Sequence, residues 1–117
     1  MNIDLIEETS YERDGYEIIV RVLYDHDINP ETDGDWATPE IIEAWKRDEW
    51  FYVGVQVRAV CYGALLAEDS LWGIPYGGEF SDSVLETASE IESWASFSDQ
   101  MKVQVNKLIE QLEKVTA

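Results

Sequence analysis

Residues 50–61 read Trp-Phe-Tyr-Val-Gly-Val-Gln-Val-Arg-Ala-Val-Cys, a run of aromatic and β-branched side chains whose length suits a long central strand. A central strand needs hydrogen-bonding neighbours on both sides, so the rest of the chain must supply them. Three segments do. Leu5–Glu12 and Tyr16–Tyr24 flank Arg13-Asp14-Gly15, and an Asp-Gly pair between two such runs is a strong hairpin signal. Tyr62-Gly63 permits a second tight turn, into Ala64–Ile74. In the Tyr16–Tyr24 run, Ile18, Val20, Val22 and Tyr24 alternate with Glu17, Ile19, Arg21 and Leu23, which makes one face wholly apolar and the other mixed. In Ala64–Ile74 neither face is uniformly polar, so a partly buried or bulged strand is expected there.

Helices are expected in three places. Thr38-Pro39-Glu40 offers a capping hydroxyl, a proline at the first helical position and an acid at the positive end of the dipole, predicting a short helix to about Asp48 with Ile41, Ile42 and Trp45 as its stripe. Pro75-Tyr76-Gly77-Gly78 breaks the sheet, and Ser83 with Glu86 forms a capping-box signature. Val84, Ala88, Ile91 and Ala95 then share one stripe. An interruption at Ser96-Phe97-Ser98 predicts a bend before Met101, Val105, Leu108, Leu112 and Val115 resume helical spacing. The order ββαββαα predicts an α+β fold: a four-stranded antiparallel sheet covered on one face by helices, in a single domain over residues 1–117.

Charge restricts the partners. The 117 residues are 45% hydrophobic, enough for a core, and carry 25 Asp and Glu against 8 Lys and Arg, a net charge of −17. Direct binding to nucleic acid or an anionic membrane is disfavoured, and a basic protein surface is favoured. The only cysteine, Cys61, cannot form an internal disulfide or a cysteine-based zinc site. The start, Met-Asn-Ile-Asp, is acidic, unlike a secretion signal, and no apolar run approaches the roughly 20 residues that span a bilayer, so a cytoplasmic location is expected. The charge is also one-sided, with net values of −11 over residues 1–49, −2 over 50–80 and −4 over 81–117.

No catalytic constellation emerges. Asp25, Asp27, Asn29 and Asp33 match alternate ligand positions of a calcium loop, but Pro30 stands where its sharp turn needs Gly and Trp36 where a bidentate Glu should close the shell. The 25–35 segment therefore reads as a solvated acidic loop. His26, the only histidine, lies between two aspartates, and Cys61 sits in an apolar strand as a packed small hydrophobe. No cofactor, no metal and no enzymatic activity are expected. Trp45, Trp50, Phe51, Tyr52 and Trp72 belong with the core, whereas Tyr76 and Phe80 follow the fourth strand in a Gly-rich loop where an aromatic can anchor a partner.

The segment Glu43-Ala44-Trp45-Lys46-Arg47-Asp48-Glu49-Trp50-Phe51-Tyr52-Val53-Gly54-Val55, followed by Ser70-Leu71-Trp72-Gly73-Ile74, resembles small acidic proteins of phages and prophages with no assigned activity. The resemblance covers about a third of the chain, roughly residues 38–75, and implies fold more than mechanism. By analogy of size, acidity and origin, it implies an inhibitor of a host defence nuclease, of anti-CRISPR or anti-restriction type, acting in the bacterial cytoplasm. On this reading Glu7, Glu8, Glu12, Asp14, Asp25, Asp27, Glu31, Asp33 and Asp35 contact a basic nucleic-acid-binding or assembly surface, with Tyr76 and Phe80 as apolar anchors. The alternative is a non-catalytic interaction or self-assembly module built on the Met101–Val115 stripe, so the chain is expected as a monomer or a homodimer.

Overall fold

The computed structural model describes residues 4–33 and 35–116, apart from the side chains of Asp33 and Thr116. Four strands form one antiparallel sheet in sequence order: β1 (Leu5–Arg13), β2 (Tyr16–Tyr24), β3 (Phe51–Cys61) and β4 (Ala64–Tyr76). Between β2 and β3 lie a helical turn, α1 (Pro30–Asp33), and a short helix, α2 (Pro39–Lys46). After β4 come α3 (Ser83–Ser93) and α4 (Ala95–Thr116). The ββαββαα order and the α+β class expected from the sequence are present, with α1 as an addition.

Two-residue turns set the register. Asp14-Gly15 and Tyr62-Gly63 all have positive φ, the geometry whose twist matches that of a hairpin, so Arg13 pairs with Tyr16 and Cys61 with Ala64. In a four-strand meander both turns fall at one end of the sheet, the turn end; the β2–β3 connection occupies the other, the loop end. From this register one face receives Ile18, Val20 and Val22 of β2 beside Val53, Val55, Val57 and Ala59 of β3, all buried. Val84, Ala88 and Ile91 of α3 and Phe97 of α4 complete that core.

The second face is divided. At the loop end it is closed by aromatics: Trp50 packs against Tyr52, Phe80 and Trp36, and its indole N–H donates to the Ile41 carbonyl at 2.8 Å, which ties α2 to the sheet. Trp72 lies flat over Gly54, where an added Cβ would sit 2.3 Å from the ring. Towards the turn end this face is open and polar. The bulges expected in the fourth strand occur between Val53/Val55 and between Ala59/Val60 of the β3–β4 register.

Several local expectations are corrected. The 25–35 segment is not wholly a solvated loop, because Pro30 is fully buried and the Asn29 side chain accepts the Glu31 N–H, starting α1. Pro75 does not break the sheet. It pairs with Tyr52 within β4, an edge strand where a missing N–H is tolerated. Thr38 caps α2 as expected, accepting from Ile41, but α2 ends at Lys46. The Ser83–Glu86 box does not form, since the Ser83 hydroxyl turns back toward the Pro75 and Phe80 carbonyls. The helix break falls at Trp94, whose backbone is extended, rather than at 96–98, because Phe97 is needed in the core. Ala95 is exposed instead of extending the α3 stripe.

Gly54→Ala forces the Trp72 ring off the sheet and is expected to cost about 1–3 kcal/mol in urea denaturation. Adding Trp72→Ala to that variant should return part of the loss. An unchanged midpoint for Gly54→Ala would contradict the stacked ring.

Candidate functional site

The open face consists of three cross-strand rows fixed by the register. The first row is Glu8, Arg21, Gln56 and Ser70; the second is Ser10, Ile19, Arg58 and Glu68; the third, nearest the turns, contains Glu12, Glu17, Val60 and Leu65. In the first two rows charge is matched. Arg21 Nε lies 3.3 Å from Glu8, and Arg58 Nε lies 2.6 Å from Glu68. Gln56 bridges them, accepting from Arg21 and donating to Glu68. These pairs occupy the two arginines on this face of the sheet.

The third row is not matched. Glu12 and Glu17 stand directly opposite each other, and Asp14 follows in the connecting turn. Among the described residues no base lies within ion-pair distance of any of the three. The neighbouring Arg13 points to the other face, where it pairs with Glu92 of α3 at 2.9 Å. Directly opposed like charges destabilise a sheet pair, so this row holds an unfavourable interaction that an outside cation would relieve. On its β3–β4 side the row becomes apolar: Val60 is half-buried, Leu65 is exposed and Tyr62 at the hairpin tip is fully exposed. A recess of about 320 Å³ among Glu12, Tyr16, Glu17, Val60 and Tyr62 joins the two halves.

The other sequence-derived candidates are spread widely. Glu7 is on the helix-covered face and accepts the Tyr76 hydroxyl at 3.3 Å, while Glu8 is held by Arg21. Asp25 uses both carboxylate oxygens on backbone, taking the Gly73 N–H at 3.0 Å and the Asp27 N–H at 3.1 Å. Glu31 faces Lys46 at 3.4 Å. Asp27 and Asp35 are exposed at the loop end, and the side chain of Asp33 lies outside the described residues. The nine acids thus do not form one surface: Glu12 and Asp14 are at the turn end, Glu7 and Glu8 lie along β1, and the others are at the loop end, a strand length of roughly 30 Å from the turns. Tyr76 and Phe80 are both half-buried, Tyr76 against Phe51 and Phe80 against Trp36 and Trp50, so packing within the protein occupies both rings.

Glu17 was not among the candidates drawn from the sequence. A two-residue Asp-Gly turn by itself implies that residues 12 and 17 pair, so the hairpin register was the signal that could have found it.

Other chemistry is separated by the fold. His26, bonded to Asp4 at 3.0 Å and stacked on Tyr24, is at the loop end, whereas Cys61, whose thiol reaches the Gly15 carbonyl at 3.7 Å, is at the turn end. Among the described residues no group of three or more His, Cys, Asp or Glu side chains is placed to hold a metal ion. Asp25 and Asn29, two of the calcium-loop positions, spend side-chain oxygens on backbone N–H groups. Among the described residues no helix is long and apolar enough to cross a membrane.

No protein-family model matches the chain, and neither a curated protein nor a solved structure matches it.

Tyr11, Tyr16 and Tyr76 all lose protons less readily than free tyrosine, chiefly through burial, with Glu92, Asp14 and Glu7 respectively adding repulsion of the phenolate. A raised value in the folded state means that the stability these hydroxyls contribute is complete below about pH 10 and is lost as pH rises through their folded values. Absorbance at 295 nm should therefore show Tyr11, Tyr16 and Tyr76 ionising late, with the melting temperature falling over the same alkaline range. Six hydroxyls titrating together near pH 10 in the folded protein would contradict these placements.

Proposed function

We propose that this protein is a non-catalytic binding protein that docks on a basic surface through the turn end of its sheet, occupying a site built to hold nucleic acid. The observation supporting this most strongly is the third row of the open face, where Glu12, Asp14 and Glu17 have no ion-pair partner among the described residues although the first two rows of that face are paired off in detail. Lys and Arg side chains that normally hold phosphates would find carboxylates there, while Tyr62, Val60 and Leu65 offer apolar contact next to them. Complementary charge would also steer the encounter, since a net charge of −17 draws a basic partner over a distance set by the ionic strength.

The resemblance of residues 43–55 and 70–74 to phage-encoded proteins narrows the class of target to a host defence nuclease, inhibited stoichiometrically by occupation of its nucleic-acid channel or assembly surface. Those two segments fall on the end of α2, β3 and the far part of β4, so they account for the framework. Contact residues are instead contributed by β1, β2 and the two turns. On this reading Glu12, Asp14, Glu17 and Tyr62 carry the interaction, and Asp25 and Glu7 hold the fold.

The test is a comparison of tagged wild-type protein with a Glu12→Gln/Asp14→Asn/Glu17→Gln variant in a bacterial lysate at low salt. Wild type should retain a nucleic-acid-handling enzyme that both high salt and duplex DNA release, and the variant should lose at least about tenfold of that retention while keeping its circular dichroism. Equal retention by the two proteins, or recovery of no such enzyme, would contradict the assignment.

A further inference from the structure

The last helix carries a second surface of different character. Met101, Val105, Leu108, Leu112 and Val115 recur at alternating steps of four and three, the spacing of a coiled-coil seam over two heptads. Its beginning packs against the core. Phe97 is buried and Met101 half-buried against the core, and Gln100 accepts the Glu68 N–H at 3.1 Å, closing the edge of β4. Beyond that point Val105, Leu108, Ile109 and Val115 are exposed, Val115 to 82%. The seam runs past the β3–β4 turn, where Leu108, Leu112 and Val115 line a groove of about 390 Å³ with Cys61, Tyr62 and Ala64. The radius of gyration, 17.8 Å against about 13 Å for a compact chain of this length, reflects the elongated shape.

Charge indicates what covers this stripe. Helix α4 contains Lys102, Lys107 and Lys114 against Asp99, Glu110 and Glu113, a net of zero, which leaves all of the −17 on the rest of the chain. The positions flanking the seam are Lys102, Gln104, Ile109 and Gln111, none of them acidic. Two copies of so acidic a protein repel each other over most of their surfaces, and α4, whose three carboxylates lie off the seam and its flanking positions, is where they can approach with the least repulsion. A basic partner, by contrast, would find no net charge on this helix to pair with.

We propose that α4 is a self-association surface, the Val105–Val115 seam of one copy packing against the same seam of a second in an isologous dimer. Because the bodies flanking the seam repel, this dimer strengthens as salt screens them, the opposite of docking through Glu12 and Glu17, which salt weakens.

The experiment is sedimentation equilibrium of the full chain over a range of concentrations at low and high NaCl. The expected result is a mass rising from 13.4 kDa toward twice that value, with tighter association at high salt. Leu108→Glu, at a position already 36% exposed, should weaken association at least about a hundredfold with an unchanged circular dichroism spectrum. Leu108→Met, which preserves apolar bulk, should still dimerise and guards against a folding defect. A mass of 13.4 kDa at every concentration and salt, or a dimer indifferent to Leu108→Glu, would overturn the proposal. Either result leaves the turn-end reading standing, because the Glu12, Asp14 and Glu17 variant is read out separately.

Discussion

The register of the sheet is the constraint on which the rest depends, and two left-handed turns hold it. Asp14-Gly15 and Tyr62-Gly63 close the β1–β2 and β3–β4 hairpins at the same end, each leaving no room for slippage. A shift of one residue would exchange the faces, moving Ile18, Val20 and Val22 into water and Glu17, Ile19 and Arg21 under α3. From this register follow the valine-rich core beneath the helices and the matched ion pairs Glu8–Arg21 and Arg58–Glu68. It also creates the confrontation of Glu12 with Glu17.

Both edges of the sheet are protected, in different ways. The β4 edge is closed by α4, with Gln100 taking a backbone N–H that another strand could otherwise use. The β1 edge is uncovered but carries Glu7, Glu8 and Glu12, and charge on an edge strand discourages pairing with another chain. The acids of β1 therefore have a structural use alongside the proposed one. What sets Glu12 apart is that its cross-strand neighbour is acidic, a choice that edge protection does not require and that costs stability.

The framework was largely legible because it rests on local chemistry. The Asp-Gly and Tyr-Gly turns, the alternation in Tyr16–Tyr24, the Thr38-Pro39 start of α2 and the irregular fourth strand all depend on residues close in sequence. The misreadings involve long-range partners. Pro30 looked like a loop residue until the fold buried it, Ser83 found the preceding carbonyls of Pro75 and Phe80 instead of its own helix, and Pro75 was admitted to β4 because that strand is an edge. The candidate site was legible only in part. Acidity marked Glu12 and Asp14 but could not separate them from Asp25, whose oxygens are used by Gly73 and Asp27, and it passed over Glu17, which only pairing identifies.

The repulsion within the third row is measured most directly by a double-mutant cycle on Glu12→Gln and Glu17→Gln, read by urea denaturation at low and high salt. Each single substitution should stabilise the fold at low salt, the double should gain less than the sum, and the coupling should be unfavourable by roughly 0.2–1 kcal/mol and shrink with added salt. A coupling of zero at low salt, or singles that destabilise, would mean that the two carboxylates do not oppose each other and that the turn end holds no unmatched charge for a partner to neutralise.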